Sequence, residues 1–324
     1  MADLAFRDLI GYRILEITVV ICTRNRRASL ERTLASIARC HVTPGLAWEV
    51  LVVDNGSSDE TSAVIRNFAS QMPIRSIREE VAGLSHARNA GVRHARGDYL
   101  IWTDDDVLVD EYWLDAYWCA FNGHPGAAFF GGRVHPVLEP PTPAWLSDNL
   151  DLLENLLAAR DFGDEPFEIH GDDDRLPFGA SYAVRTSDQR RHSYDPELGV
   201  SPTLRRSGEE TQVLRAIMDE GGVGRWVPNA KVSHIIPARR QTLAYVVEHY
   251  RAYGETAAYL AARRGATMPL AARSRWEARY GLVKSLVAIA LGGVLSKQRF
   301  RLRHACFYGY HRGFLSYRSG AGGE

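Results

Sequence analysis

Apolar runs alternate with amphipathic segments along the first hundred residues, and each segment has the length of one secondary-structure element. The apolar runs predict strands at residues 17–22, 49–54, 73–79 and 98–104. The segments between them predict helices at 27–40, 58–71 and 83–95. Strands and helices that alternate at this spacing imply right-handed crossovers. We therefore expect an α/β fold with a Rossmann-like, mostly parallel sheet flanked by helices.

Polar residues gather where three of these strands end. TRNR (23–26) follows the first strand, DNGSSD (54–59) the second and DDD (104–106) the fourth. The carboxyl ends of parallel strands meet at one edge of a sheet, and ligands bind there in folds of this kind. We therefore expect these three segments to lie together at a binding site.

The aspartate triplet at 104–106 raises a question of electrostatics. Three adjacent carboxylates at the end of a buried strand repel one another, so a cation is expected beside them. The alternative is a polar turn that closes the strand. A second triplet, in GDDDR at 171–175, follows no apolar run, and we interpret it as a solvated loop.

Composition and charge add further constraints. With 324 residues, of which 45% are hydrophobic, the chain can bury a core large enough for one large domain or two closely associated ones. The formal net charge is zero, yet residues 239–318 contain fifteen Lys or Arg and three acids, a net charge of +12 that suggests an anionic partner. The four cysteines are scattered, and the first residues contain no apolar run long enough for a signal peptide. Both observations favour a reducing, cytoplasmic location.

The order of three segments resembles that of a known enzyme family. TVVICTRNR, then VVDNGSSDET, then GLSHARNAGVRHARGDYLIWTDDD is similar to the family 2 glycosyltransferases of the GT-A fold, over roughly residues 15–250. These enzymes transfer a sugar from a nucleotide donor to an acceptor. The resemblance implies a GT-A catalytic domain at 1–238, with nucleotide-sugar binding at about 15–110 and the acceptor side at about 111–238. A helical, basic extension would follow at 239–324.

The resemblance assigns the donor site to the strand ends. Asp54 would accept a hydrogen bond from the imide N–H of uracil, and the 23–25 loop would lie beside the base and ribose. An Asx turn formed by Asp54 and Asn55 is a compatible structural interpretation. The implied nucleotide-sugar-binding residues are Thr23, Arg24, Asn25, Asp54, Asn55, Gly83, Arg88, Asn89, Asp104 and Asp105. For Arg88, a surface arginine without a ligand is the alternative.

The same resemblance implies a divalent cation, Mn²⁺ or Mg²⁺, at the triplet. These ions prefer hard oxygen ligands and can bridge a carboxylate to two phosphate oxygens. By the Asp-x-Asp pattern of the family, Asp104 and Asp106 are the pair, with Asp106 the preferred direct ligand. Asp105 would contact the ribose or the metal. His234, in a strand predicted at 227–237, would reach the metal or the pyrophosphate; the alternative is a structural histidine.

A helix predicted at 211–219 begins just after two acids, Glu209 and Glu210. Acids at a helix start are stabilised by the helix dipole, which is a sufficient structural explanation. The family usually has Gly-Glu-Asp here, with the last acid as the catalytic base. The resemblance therefore implies Glu210, one methylene longer than usual, and leaves Glu209 as the alternative. The segment FGASYAVRT (178–186) resembles the family's strand that approaches the acceptor.

The C-terminal third has a different pattern. Residues 241–264 are predicted to form one helix, and 279–315 combine an apolar stretch at 281–295 with a dense basic and aromatic one. That stretch is too short to span a bilayer, but it suits a helix lying in the interface of an anionic membrane. The alternative is two helices packed over the catalytic domain.

The sequence thus predicts a metal-dependent, inverting transferase that moves a sugar from a UDP donor to a glycan or lipid-linked acceptor, peripheral to the cytoplasmic face of a membrane. Non-processive action is expected because Gly222 stands where processive members have glutamine. A sugar-nucleotide-forming nucleotidyltransferase fits less well, because it would carry a glycine-rich loop where CTRNRRAS has no glycine. A noncatalytic sugar-nucleotide-binding membrane adaptor would not need both the DDD and the GEE acids. The sequence contains no nucleic-acid-binding motif, so no nucleic-acid partner is expected.

Overall fold

The computed structural model describes residues 15–264, 274–294 and 297–317. Residues 1–14, in which no signal peptide is expected, therefore lie outside the described residues. Residue 295, the last position of the predicted 281–295 stretch, also lies outside them. The strands are β1 (Ile17–Thr23), β2 (Trp48–Asp54), β3 (Ile74–Arg78), β4 (Tyr99–Asp104), β5 (Val107–Val109), β6 (Phe129–Leu138), β7 (Glu168–Ile169), β8 (Tyr182–Arg185) and β9 (Gly224–Ile236). The helices are α1 (Arg27–Ile37), α2 (Thr61–Asn67), α3 (Leu84–His94), α4 (Trp113–Gly123), α5 (Ala144–Ser147), α6 (Glu154–Leu157), α7 (Thr186–Gln189), α8 (Glu209–Asp219), α9 (Leu243–Arg264), α10 (Arg275–Val294) and α11 (Gln298–Ser316).

Strands β1 to β4 form the parallel part of the sheet, and the prediction for this region is confirmed. Their order is β3-β2-β1-β4, and α1, α2 and α3 connect them along the chain. Alternate side chains enter two separate apolar clusters, with Val19 and Val50 in one and Val20 and Leu51 in the other. A parallel sheet that is covered on both faces has apolar residues at every strand position, which explains the continuous apolar runs.

Four further strand pairs are antiparallel and extend the predicted parallel sheet into a mixed one, although β6 runs in the same direction as β4 because both pair antiparallel with β8. Strand β8 pairs with β4, β6 pairs with β8, and β5 and β7 each pair with β9. The order continues as β4-β8-β6-β9-β5. The apolar patterns at 178–186 and 227–237 predict strands, but such a pattern has no direction. It therefore does not indicate whether a strand pairs parallel or antiparallel.

The described chain divides into two compact units. The first holds the residues up to Pro136, Ala158–Pro196 and Glu209–Ile235, and the second holds Val137–Leu157, Glu197–Gly208 and the residues from Ile236 onward. Segments 137–157 and 197–208 therefore group with the C-terminal helices, although the sequence analysis includes them in the region 1–238. One reason is apolar packing, because Leu153 shares a buried cluster with Val246. The division of functions between the two regions stays a prediction.

The second unit contains the long helices α9, α10 and α11. The helix predicted at 241–264 is confirmed as α9, and the described residues of the 279–315 region lie mainly in two helices, α10 and α11. Glycines allow α9 and α11 to approach closely. A Cβ on Gly254 would lie 1.9 Å from the carbonyl O of Tyr310, and one on Gly309 would lie 2.4 Å from that of Val247. Of the helices in the described ranges, none is long and apolar enough to cross a membrane.

Candidate active site

The carboxyl ends of β1, β2 and β4 bring the predicted polar residues together. Thr23 lies beside Asp54 in the β1–β2 ladder, and Cys22 lies beside Asp104 in the β1–β4 ladder. The segments that follow these strands therefore share one rim, as predicted. The Thr23 hydroxyl also donates a hydrogen bond to Asp105 Oδ2 at 2.6 Å, so a side chain ties the first segment to the third.

Tight turns fix the loops that follow β1 and β2. The Ser57 N–H donates to Asp54 Oδ1 at 2.8 Å, and Gly56 has a φ of 70°, so the Asp54 side chain closes this turn through the N–H three residues on rather than the one two residues on that defines an Asx turn. Asp54 Oδ2 lies 3.3 Å from Arg78 Nη1. In the other loop, Asn25 has a φ of 52°, and its N–H donates to Ser57 Oγ at 3.0 Å. The carboxylate of Asp54 is thus held in a fixed orientation at the rim.

The Asn55 side chain connects the β2 loop to the segment that leads into α3. Its Nδ2 donates to the carbonyl O of Glu79 at 3.0 Å and to that of Val81 at 2.7 Å. Its Oδ1 accepts a hydrogen bond from the Gly83 N–H at 2.8 Å. The Asn55 carbonyl in turn accepts a hydrogen bond from Arg24. Arg24, Asn55 and Gly83 therefore form one connected group, and the Asn55 amide is engaged within the protein.

Arg26 supplies the cation that the aspartate triplet requires. Its Nη1 lies 2.6 Å from Asp105 Oδ1, and its Nη2 lies 2.7 Å from Asp106 Oδ2. Burial raises the pKa of Asp105 to about 7, although the charge of Arg26 acts in the opposite direction. Partial burial and the neighbouring Asp106 carboxylate also raise the pKa of Asp104, whose side chain is 38% exposed, so burial acts on it less than on Asp105. The rim therefore concentrates carboxylates that a further cation would stabilise.

The donor set of the triplet fits a hard divalent cation that also binds phosphate oxygens. In the described part of the chain, no three His, Cys, Asp or Glu side chains are grouped as a complete metal site. Proteins often hold Mg²⁺ by only one or two carboxylates, and the phosphates of a substrate complete the coordination. Asp104 and Asp106 provide such a pair. Arg26 bonds to one of them, which shows that a positive charge is accommodated at this position.

His234 lies beside the triplet. In the β5–β9 ladder it is opposite Val107, and its Nε2 is 3.5 Å from Asp106 Oδ1. The imidazole is buried, and the next N–H, that of Ile235, donates to the Asp106 carbonyl at 2.9 Å. This position suits both a contact with a metal at Asp106 and a structural partner of that carboxylate.

A buried arginine joins the triplet to the predicted base. The Arg88 side chain, on α3, is 4% exposed, and its Nη1 lies 2.7 Å from Glu209 Oε1 and 3.5 Å from Glu210 Oε2. Its Nη2 is 3.9 Å from Asp104 Oδ1. Burial and the charge of Glu210 raise the pKa of Glu209 to about 7, although Arg88 lowers it. The side chain of Glu209 is 5% exposed and that of Glu210 is 14% exposed, so Glu210 is the more accessible acid.

The segment predicted near the acceptor approaches this cluster at a glycine. A Cβ on Gly179 would lie 2.6 Å from Arg88 Nη2 and 3.8 Å from Glu210 Oε1. A side chain at this position would therefore displace Arg88. The chain just before β8 thus forms part of the wall around the two glutamates.

Comparison with known proteins identifies the kind of enzyme to which this rim belongs. Residues 18–172 match the family described as Glycosyl transferase family 2, and the match includes β2, β3 and β4, all but the first residue of β1, and the 104–106 triplet. The succinoglycan biosynthesis protein ExoM of Rhizobium meliloti (strain 1021) is 25% identical over 315 residues, which cover 93% of this chain and 93% of ExoM. The chain carries a family 2 glycosyltransferase domain. The protein is therefore an enzyme.

Solved structures share the fold of this glycosyltransferase. A mannosyltransferase from Pyrobaculum calidifontis, in complex with GDP-Man and Mn²⁺, has a TM-score of 0.61 at 20% identity, over 93% of this chain and 87% of that one. S. aureus TarS 1–349 in complex with UDP has a TM-score of 0.55 at 14% identity, over 92% of this chain and 90% of that one. At such identities the likeness shows the fold alone, and it confirms the predicted GT-A fold.

The glycosyltransferase places most of its predicted donor-site residues at the rim, and the side chains of Asn89 and Arg88, like that of Asn55, are engaged within the protein. Asn89 Nδ2 donates to the Tyr194 carbonyl at 2.8 Å, and Asn89 Oδ1 accepts from the Tyr194 N–H at 2.9 Å. Arg88 is buried between Asp104 and the acids of α8, so its interpretation as a surface arginine is wrong. A contact between any of these residues and a nucleotide stays a prediction.

Two residues of this site, Arg26 and Tyr194, were not predicted from the sequence. Arg26 lies within TRNR, which the strand order places at the rim, and the repulsion of the triplet already indicates a nearby cation. Combining these two signals would have found it. Tyr194 has no such signal, because it comes from a loop. Its hydroxyl lies 2.6 Å from that of Tyr182, and its ring centroid lies 5.5 Å from Arg88 Cζ.

Proposed function

We propose that this glycosyltransferase moves a sugar from a UDP donor to a hydroxyl of a glycan or lipid-linked acceptor, with inversion at the anomeric carbon and without processive elongation. The observation that carries the proposal is the contact of one buried arginine, Arg88, with both Asp104 and Glu210. An inverting displacement needs the leaving diphosphate and the base on opposite faces of the sugar. The residues near the diphosphate and the residue that accepts the proton must therefore be held at a fixed separation. Arg88 contacts both Asp104 and Glu210 and can hold them in this way.

We assign the base of the donor to Asp54 and the 23–25 loop. The Ser57 N–H and Arg78 hold the Asp54 carboxylate at the rim, where it can accept a hydrogen bond from the imide N–H of uracil. The TarS structure contains UDP, which supports this choice, whereas the mannosyltransferase structure contains GDP-Man. The preference for UDP therefore rests on Asp54 and on the family resemblance of the segment around it.

We assign a divalent cation, Mn²⁺ or Mg²⁺, to Asp104 and Asp106, with His234 beside them. When bound, the cation would act as a Lewis acid and offset the charge of the departing diphosphate. The Mn²⁺ in the mannosyltransferase structure supports this assignment. In the protein itself, Thr23 orients Asp105 by its hydrogen bond, and Arg26 holds Asp105 and Asp106 together.

We assign the general base to Glu210. Its carboxylate is the more exposed of the pair, and it lies next to the space that Gly179 leaves open. Glu209 is instead tied to Arg88 at 2.7 Å and fixes the start of α8, from which both acids project. As the acceptor oxygen bonds to the anomeric carbon, the bond from that carbon to the diphosphate breaks. The hydroxyl proton passes to Glu210.

The acceptor and the location are inferred from two further observations. ExoM is named as a succinoglycan biosynthesis protein, which supports a glycan or a lipid-linked glycan as acceptor. All four cysteines are free, which supports a reducing compartment and hence the cytoplasmic side of the membrane for the predicted peripheral position.

The substitution Glu210→Gln tests the assignment of the base. It keeps the shape of the side chain but removes the proton acceptor. Turnover, measured as UDP release from a panel of UDP sugars with Mn²⁺, should therefore fall by about 10²-fold or more. The affinity for UDP, measured by calorimetry, should stay unchanged because Glu210 lies outside the assigned nucleotide contacts.

Glu209→Gln is the matched control for this experiment. It replaces the carboxylate beside Arg88 by an amide of the same shape, and Arg88 still contacts Glu210 and Asp104, so the protein should remain folded. Turnover per folded molecule should fall less than in Glu210→Gln. An inactive Glu209→Gln enzyme of native thermal stability, beside an active Glu210→Gln enzyme, would show instead that Glu209 is the base.

A further inference from the structure

Helix α10 packs with its small residues inward. These residues are Ala278, Gly281, Ser285, Ala288 and Gly292. A Cβ on Gly281 would lie 2.2 Å from His311 Nε2, and one on Gly292 would lie 2.6 Å from Arg301 Cγ, so both glycines lie directly against α11. The contact between α10 and α11 therefore uses the small side chains of α10 and leaves its large apolar ones on other faces.

Large apolar side chains of α10 are turned outward instead. They are Trp276, Tyr280, Val283, Leu286, Val287 and Leu291, each between 49% and 73% exposed. Their spacing of three and four residues places them on one side of the helix. The rings of Trp276 and Tyr280 stack with centroids 6.1 Å apart. Single exposed apolar residues are common on protein surfaces, but a continuous face of this length marks an interaction surface.

Basic side chains border this apolar face. Arg279 and Lys284 are exposed on α10, and the one acid in the sequence of that helix is Glu277. Lys284 also lines a groove with Arg303 and His304 of α11, together with two phenylalanines of α11. The partner that fits such a surface offers an apolar layer next to negative charge.

We propose that α10 binds the surface of an anionic lipid bilayer, with its outward apolar side chains in the interface and Arg279, Lys284 and Arg303 directed to lipid phosphates. A helix of 20 residues with a one-sided apolar face suits this position in the interface plane. Trp276 and Tyr280, at its start, are residue types that prefer the level of the headgroups.

A second copy of the chain fits this face less well than a bilayer does. In a two-fold dimer the same surface lies on both sides of the interface, so the basic borders of the two copies would face each other. Their like charges would repel, whereas anionic headgroups would neutralise them. The proposal does not depend on the transfer chemistry, because the residues it uses all lie outside the rim of the sheet.

Co-sedimentation of the full-length protein with lipid vesicles tests the proposal. We expect binding to phosphatidylcholine vesicles that contain about 30 mol% phosphatidylglycerol, and little binding to phosphatidylcholine alone. The affinity should fall by about tenfold or more between about 50 mM and about 500 mM NaCl, because salt shortens the range of the basic charges. The triple substitution Val283→Ser, Val287→Ser and Leu291→Ser should also lower the affinity by about tenfold or more.

The matched control removes three apolar side chains of similar exposure that lie elsewhere: Val137→Ser, Val200→Ser and Leu243→Ser, at positions between 42% and 57% exposed. It should bind vesicles as the unchanged protein does. The proposal is overturned if the unchanged protein ignores anionic vesicles at low salt, or if the control loses as much affinity as the α10 variant. A dimer that dissociates in the α10 variant, without any vesicle binding, would assign the face to a second copy instead.

Discussion

Two aspartate triplets of identical sequence, at 104–106 and 172–174, lie in opposite surroundings. The first ends a buried strand, and Asp105 and Asp106 are 3% and 6% exposed. The second lies in a turn after β7, and its first and last residues are exposed to solvent. Only the first triplet follows an apolar run, so the residues that precede the carboxylates determine their surroundings.

Each triplet also has its own arginine, but the consequences differ. Arg26 lies 2.6 Å from Asp105, yet burial still raises the pKa of that carboxyl to about 7. Arg175 lies 2.7 Å from Asp173 at the surface, and its hydrogen bond lowers the pKa of Asp173 below the usual value. One arginine is therefore enough to keep Asp173 ionised, because its side chain is partly exposed in a surface turn, whereas the more deeply buried Asp105 would be stabilised by further positive charge.

The largest expected difference between the triplets is in activity. Asp106→Ala should reduce Mn²⁺-dependent turnover by about 10²- to 10³-fold, because the cation loses its main carboxylate ligand. Circular dichroism should show an unchanged fold. Asp172→Ala, in the surface triplet, should stay within about twofold of the unchanged enzyme, since substitutions at exposed positions usually have small effects. Undiminished Mn²⁺-dependent turnover of the Asp106→Ala enzyme would contradict the assignment of the cation to Asp106.

A smaller effect is expected from the two arginines. Arg26→Ala should tighten the binding of Mn²⁺ in the absence of nucleotide by about tenfold, because it removes a competing cation from Asp106. Free Mn²⁺ measured by electron paramagnetic resonance gives this affinity directly. Arg175→Ala is the matched control and should leave the affinity unchanged. Weaker Mn²⁺ binding by the Arg26→Ala protein would show that the arginine orients the ligands rather than competing with the cation.

The rim of the site is the part that the sequence predicts best. Asp54 and Asp104 each end a parallel strand, and strand order alone brings such residues to one edge of a sheet. The contact between Arg88 and Glu209 could not be predicted in this way, because the two residues are 121 positions apart. Their pairing depends on how α8 packs against α3, and no local pattern specifies that packing.

The C-terminal helices show a similar limit. The apolar stretch predicted at 281–295 lies largely in α10, but the exposed apolar face also includes Trp276 and Tyr280, before that stretch begins. The sequence gives the number of apolar residues and their spacing. It does not indicate that small residues such as Ala278 and Ser285 would occupy the buried side of the helix, since large apolar residues are the usual choice there.

The smallest expected effect is a dependence of stability on pH that distinguishes Asp105 from Asp173. The folded protein keeps the proton on Asp105 up to a pKa of about 7, whereas the unfolded chain releases it near the ordinary value of 3.8. Between these two pH values the folded protein holds a proton that the unfolded chain has lost. The free energy of unfolding therefore falls as the pH rises. Glu209, with a pKa raised to about 7, acts in the same direction.

Thermal unfolding between about pH 5 and about pH 8 measures this effect as a melting temperature that falls by several degrees. Asp105→Asn should reduce the slope, because an amide stays neutral at every pH, and Glu209 should account for part of the slope that remains. Asp173 has a lowered pKa, so its contribution is complete above pH 3.8 and is lost only as the pH falls further. Asp173→Asn should therefore leave the slope between about pH 5 and about pH 8 unchanged. Equal slopes in the Asp105→Asn protein and the unchanged protein would show that Arg26 keeps the buried carboxylate ionised, and that the two triplets differ less than their burial indicates.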